Sequence, residues 1–204
     1  ARDHRRPFTA SEIAFLETVC SIASIAMKNA GLYEKMFREA RIDPLTDAFN
    51  YRYFVELLEE TFQSCGRECL TLAYVDVDDF KLYNQLYGVE AGDAALRSIC
   101  QTITLCVGEA GTVFRTSGKV FAVLLPGRDV QQSMALMREI LRRVGQINRP
   151  DAYPSRKPLT VSVGICTAPY AASSAKELMD NADLAAYNAK QHGKNQLMVF
   201  RGAM

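Results

Sequence analysis

Tyr74-Val75-Asp76-Val77-Asp78-Asp79-Phe80-Lys81-Leu82-Tyr83-Asn84 decides the fold. The stretch 70–77 is apolar and rich in β-branched residues, which predicts a buried strand. It stops at three carboxylates, Asp76, Asp78 and Asp79. A short helix is predicted over 80–87, closed by Gly88, with Asp79 as the residue that opens it. Carboxylates at the C-terminal end of a strand suit a hard cation such as Mg²⁺, which usually shares its shell with substrate phosphates. Acidic residues after a strand also serve as turn formers and caps, so this stretch alone does not name a chemistry.

Working outward, helices are predicted over 51–62, 91–107, 129–144 and 175–192. Strands are predicted over 112–116, 120–125, 159–167 and 197–200. Ser117-Gly118-Lys119 reads as a hairpin turn between two of them. Residues 148–158 read as a loop rich in proline and basic residues. Helices and strands alternate except at the hairpin, which gives an α/β (α+β) class with a central mixed sheet and flanking helices.

A long helix is predicted ahead of this domain. Thr9 and Glu12 form a capping box, and Phe8 and Ile13 are spaced as a hydrophobic staple. Leu16, Ala23, Ala30 and Phe37 recur every seven residues, with Val19, Ala26, Tyr33 and Ala40 as the second row. That is a coiled-coil seam, and it predicts a homodimer through this helix. Pro44 ends it, dividing the chain into 1–42 and 43–204.

Composition narrows the setting. The net charge is +1 and only Arg2, Arg5 and Arg6 cluster, so no nucleic-acid partner is expected. No apolar run long enough for a bilayer stands out, and no membrane contact is expected within this stretch. The six cysteines lie mostly in apolar runs, reading as small buried hydrophobes in a reducing, cytoplasmic setting. Cys65 and Cys69 lack a second pair to complete a zinc signature.

Two further groups are candidates for chemistry. Lys190 and Lys194 are four residues apart at the end of a helix, where they either grip phosphates or complement the helix dipole. Asn84 and Asp93 together present an amide and a carboxylate, the complement of a guanine edge, although both residues are also common caps.

In order along the chain, Asp43-Pro44-Leu45-Thr46, the Tyr74–Asn84 segment, Tyr87-Gly88-Val89-Glu90-Ala91-Gly92-Asp93 and Ala182-Asp183-Leu184-Ala185-Ala186-Tyr187-Asn188-Ala189-Lys190 with Gly193-Lys194-Asn195 resemble the GGDEF (diguanylate cyclase) family. The resemblance implies a palm-like nucleotidyl cyclase fold and, in active members, condensation of two GTP molecules into cyclic di-GMP across a dimer. It implies Asp76 and the Val77 carbonyl at Mg²⁺, Phe80 and Lys81 by the triphosphate, Asn84 and Asp93 on guanine, and Lys190 and Lys194 on phosphate. Residues 8–34 resemble the last helix of a GAF sensory domain leading into a signalling linker.

The departure lies at the signature. Where the family has GGDEF or GGEEF, this chain has Ser117-Gly118-Lys119-Val120-Phe121. Lys119 replaces the second metal-binding carboxylate, and an ion pair with Asp76 is expected in its place. Phosphoryl transfer of this kind relies on the metal to neutralise the triphosphate, so loss of cyclase activity is expected, with Mg²⁺ required only if activity survives. The product-binding RxxD motif of the family falls on Gly108-Glu109-Ala110-Gly111, without its Arg or Asp. The expected role is a regulatory module with GTP, a partner protein, or an active cyclase in a heterodimer as its partner. The alternatives are a weakly active diguanylate cyclase and a purely structural dimerisation module.

Overall fold

The computed structural model describes residues 8–147 and 159–202, so the basic cluster at Arg2, Arg5 and Arg6 and the 148–158 loop lie outside the described residues. By its internal contacts the chain divides into Ala1–Ala40 and Arg41–Met204.

Among the described residues, the first unit holds one helix, α1 (Ala10–Arg41), which runs one residue past its boundary. Its start is the predicted capping box: the Thr9 amide donates to Glu12 Oε2 at 2.8 Å, and the Glu12 amide donates back to Thr9 Oγ1 at 3.3 Å. No residue of α1 is buried within the chain. Leu16, Val19, Tyr33 and Phe37 of the predicted seam are all exposed. By length and composition α1 is apolar enough to cross a membrane, which corrects the expectation that no such run exists. Its longest uncharged stretch is residues 18–27, about half of the ~20 residues that a span requires.

The second unit is a six-stranded mixed sheet in the order β1-β3-β4-β2-β5-β6. The strands are β1 (Phe49–Asn50), β2 (Leu70–Val77), β3 (Thr112–Ser117), β4 (Val120–Pro126), β5 (Val161–Ala168) and β6 (Leu197–Val199). The helices are α2 (Tyr51–Ser64), α3 (Phe80–Tyr87), α4 (Val89–Val107), α5 (Val130–Ile147) and α6 (Ala175–Gln191). Strand β2 is antiparallel to both neighbours, β4 and β5, while β1 and β6 pair in parallel at the edges. The sequence did not reveal β1, because two residues carry no period.

Strand periodicity sorts the core into two layers. Ala73, Val75 and Val77 face the layer that holds Leu96, Ile99, Ile103, Met137 and Ile140 of α4 and α5. Leu70, Leu72 and Tyr74 face the opposite layer, with Phe54 and Leu58 of α2 and Leu178 and Ala182 of α6. Each fully buried large side chain contributes about 1.5–3 kcal/mol, so β2, apolar on both faces, anchors the sheet.

Helix α6 approaches the sheet closely because both surfaces are small. A Cβ on Gly164 of β5 would stand 2.0 Å from the Ala186 amide nitrogen and 2.2 Å from the Ala182 carbonyl oxygen. Ala182, Ala185, Ala186 and Ala189 form the buried face of the helix. This close packing sets where the C-terminal turn of α6, with Lys190, meets the end of β2.

Candidate functional site

Asp76 continues the face of β2 that looks toward α6, two residues after Tyr74. It lies opposite Val120 in the β2–β4 register, directly beside the hairpin. The Val77 amide donates to the Lys119 carbonyl at 3.0 Å, so the backbone delivers Lys119 to the same place. Lys119 Nζ stands 3.2 Å from Asp76 Oδ1, and Lys190 Nζ stands 2.6 Å from Asp76 Oδ2. One carboxylate therefore faces two ammonium groups. Asp76 Oδ1 is buried and receives no well-aligned hydrogen bond, so Lys119 acts on it mainly as a charge.

The two lysines differ in their titration. Burial and the neighbouring Lys119 hold the Lys190 ammonium below its usual pKa, against the pull of Asp76. For Lys119 burial also opposes the charge, but the Asp76 carboxylate outweighs it and raises the pKa.

Asp78 is treated differently. It is buried, and its carboxylate accepts from Thr160 Oγ1 at 2.7 Å, Ser162 Oγ at 2.7 Å and the Asn195 amide at 3.1 Å. All three donors are neutral, and they tie the end of β2 to the start of β5 and to the turn after α6. Asp79 was expected to cap α3. It stands at the helix start in a left-handed conformation (φ 51°) and makes no side-chain capping bond. Its carboxylate instead accepts from Lys194 Nζ at 2.6 Å, because the left-handed backbone turns the side chain toward the α6–β6 turn.

The hairpin is braced from the entry motif. Arg115 of β3 donates through one terminal nitrogen to Asp43 Oδ1 at 2.9 Å and through the other to the Gly118 carbonyl at 2.6 Å. Asp43 also accepts from the Thr46 amide and hydroxyl, at 2.9 and 2.7 Å. Burial alone would raise the Asp43 carboxyl, but Arg115 and Thr46 outweigh it and hold it below its ordinary value.

These elements enclose a cleft of about 580 Å³. It is lined by Phe80, Lys81, Asn84, Lys119, Lys190 and Lys194, with Asp79, Gln85 and Val89 at its margin. Gly92 shapes its floor: a Cβ there would stand 1.8 Å from Asn84 Oδ1 and 3.1 Å from the Phe80 ring. Asn84 Oδ1 is buried without a hydrogen-bond partner. The structure thus gathers six of the predicted site residues on the cleft, with Asp76 off the lining but paired to Lys119 and Lys190. Asp93 is half-buried on α4 and does not line the cleft, and Ser117 is exposed on the hairpin, also outside it. Phe121 is fully buried in the core.

Sequence reasoning missed Asp78 as a structural anchor, along with Thr160, Ser162 and Gly92. The signal for the hydroxyls was their spacing by two in an otherwise apolar strand, which puts both on one face. Gly92 was signalled only by its place in the Tyr87–Asp93 segment.

The donor set does not fit a divalent cation. Both oxygens of Asp76 face ammonium groups, and Asp78 is spent on neutral donors. Among the described residues no group of three or more His, Cys, Asp or Glu side chains could hold a metal. Four lysines stand around one opening instead, a set of side chains suited to an anion. The 108–111 segment is a 3₁₀ turn, Gly108–Ala110, followed by Gly111. A Cβ at Gly111 would stand 2.1 Å from the Leu124 carbonyl oxygen, so this backbone admits no Asp there.

A family model described as "Diguanylate cyclase, GGDEF domain" matches residues 40–196. The chain belongs to the GGDEF domain family. It is 32% identical over 198 residues to diguanylate cyclase A of Treponema denticola, covering 94% of this chain and 52% of that protein. It spans about half or less of the length of the curated relatives it matches. Among solved structures, the coiled coil and GGDEF domain of DgcB from Caulobacter crescentus, in complex with c-di-GMP, superposes with a TM-score of 0.83. That match has 23% identity and covers 91% of this chain and 99% of the other, which establishes the fold. Diguanylate cyclase SiaD of Pseudomonas aeruginosa, in complex with its activator SiaC, matches with a TM-score of 0.72 and 25% identity, covering 93% of this chain and 73% of that one. The fold is thus that of the nucleotidyl cyclases of this family, with a long N-terminal helix.

Proposed function

We propose that this GGDEF domain binds GTP without a divalent cation and does not convert it to cyclic di-GMP, so that it works as a regulatory module. The observation that carries this reading is the double ion pair on Asp76. Metal-assisted phosphoryl transfer needs carboxylates free to hold the cation, which neutralises the triphosphate and favours the attacking oxyanion. Here an ammonium stands where the second carboxylate would be. Lys81, Lys119, Lys190 and Lys194 can instead neutralise phosphate oxygens directly, exchanging Asp76 and Asp79 for the ligand. At the other end of the cleft, the Asn84 amide on its Gly92 floor offers hydrogen bonds to a base edge.

The deciding experiment is incubation of the purified protein with GTP and Mg²⁺, followed by chromatography of the mixture. The expected result is unchanged GTP. Measurable cyclic di-GMP from this chain alone would contradict the reading.

A second role is supported by α1. Its seven-residue seam is exposed from Leu16 to Phe37, and a parallel helix pair is the simplest way to cover it. The domain would then act as a dimer, either with itself or beside an active cyclase. The six cysteines form no disulfides, in keeping with a reducing cytoplasm.

A further inference from the structure

Strand β6 closes the sheet on the side of β5, and its outer edge faces a cavity of about 780 Å³ beneath α5. The parallel ladder fixes which backbone groups look outward. The Val163 amide donates to the Gln196 carbonyl at 2.9 Å, and the Phe200 amide donates to the Ile165 carbonyl at 2.7 Å. Residues 196, 198 and 200 therefore face β5, and by alternation the amides and carbonyls of Leu197 and Val199 point away from the sheet. Among the described residues, no backbone bond outside the ladder takes up these groups.

The cavity beside this edge has an apolar floor and a basic rim. Met134 and Leu141 of α5 supply apolar surface, and Arg138 and Arg201 supply the charge. No Asp or Glu lines it, and among the described residues no carboxylate pairs with either arginine. Tyr170 stands exposed at its margin.

We propose that this edge takes an extended, acidic peptide segment of a partner protein as a seventh strand. Main-chain hydrogen bonds to Leu197 and Val199 would supply affinity. Alternate apolar side chains would enter the cavity, and carboxylates would meet Arg138 and Arg201. A second copy of the same edge is disfavoured, since it would bring like charges together. The site is separate from the nucleotide cleft and shares no lining residue with it. The proposal therefore stands or falls independently of GTP binding.

The test uses a synthetic peptide of alternating valine and glutamate, about six residues long as in an ordinary strand. Titration is followed by amide chemical shifts and calorimetry. Binding is expected to shift the Leu197 and Val199 amides. It should weaken by roughly tenfold or more when alternate peptide nitrogens are methylated, or in Arg138→Glu, an exposed change that leaves the core intact. Val199→Pro, which removes one outward amide, should act likewise. No binding, or equal binding of the methylated peptide, would overturn the proposal. So would concentration-dependent self-association that Val199→Pro abolishes, since a second copy would then be the occupant.

Discussion

Asp76 and Asp78 stand two residues apart at the end of the same strand, yet the protein uses them in opposite ways. Asp78 is buried among two hydroxyls and one backbone amide, a set of neutral donors that satisfies the charge and joins three segments. Asp76 is partly exposed and held between two ammonium groups. The first environment is a structural joint. The second is an electrostatic plug, and on the proposed reading its lysines leave Asp76 for a stronger anion. On the proposed reading a metal site can be lost without disturbing the fold, because the carboxylate that supports the fold is a different one.

The largest expected effect tests that division. Asp78→Ala strands the Thr160 and Ser162 hydroxyls and the Asn195 amide, and should cost about 3 kcal/mol in urea unfolding. Asp76→Ala removes both ion pairs, but Lys119 and Lys190 line the open cleft and can turn toward solvent, so it should cost less, about 1 kcal/mol. Equal losses would erase the distinction between the two carboxylates.

Next is the plug itself. Lys119→Met should weaken GTP binding about tenfold, roughly 1.4 kcal/mol, by calorimetry. It should also raise the Lys190 pKa toward its ordinary value, seen by NMR of the side-chain carbon, because the neighbouring ammonium is gone. An unchanged Lys190 titration would mean that the two lysines do not share Asp76 in solution.

Asn84→Ala examines the opposite end of the cleft. It should weaken GTP about fivefold and leave inorganic triphosphate unaffected, since one amide hydrogen bond is worth roughly 1 kcal/mol. Equal losses for both ligands would show that Asn84 does not contact the base.

How much of this could be read beforehand depended on distance along the chain. The strand at 70–77 and the helix at 80–87 were legible in full, because burial on both faces and a closing Gly88 are local signals. The meeting of Lys119 with Asp76 was also legible, because the register of the signature hairpin could be counted from Arg115 and Phe121. The partners of Asp78 were not, since they lie 82, 84 and 117 residues away and come together only through the sheet. Asp79 misled because a carboxylate ahead of a helix is usually a cap, and its left-handed backbone leaves no trace in sequence. Strand β1 was too short to show a period.

The smallest effect concerns pH and the brace behind the hairpin. The Asp43 pKa is lowered in the folded state, so its contribution is present above the ordinary carboxylate range, about pH 4, and is lost as pH falls through the folded value. Asp43→Asn should flatten that part of the stability profile while leaving the neutral-pH behaviour of the Asp76 lysines unchanged. A profile that stays as steep would assign the acid sensitivity to another group.

The most direct measurement is calorimetric titration with GTP, once in excess Mg²⁺ and once in EDTA. The plug at Asp76 predicts binding in both, with no gain from the metal. A tenfold or greater strengthening by Mg²⁺ would show that Asp76 still holds the cation, and that Lys119 yields its place to it.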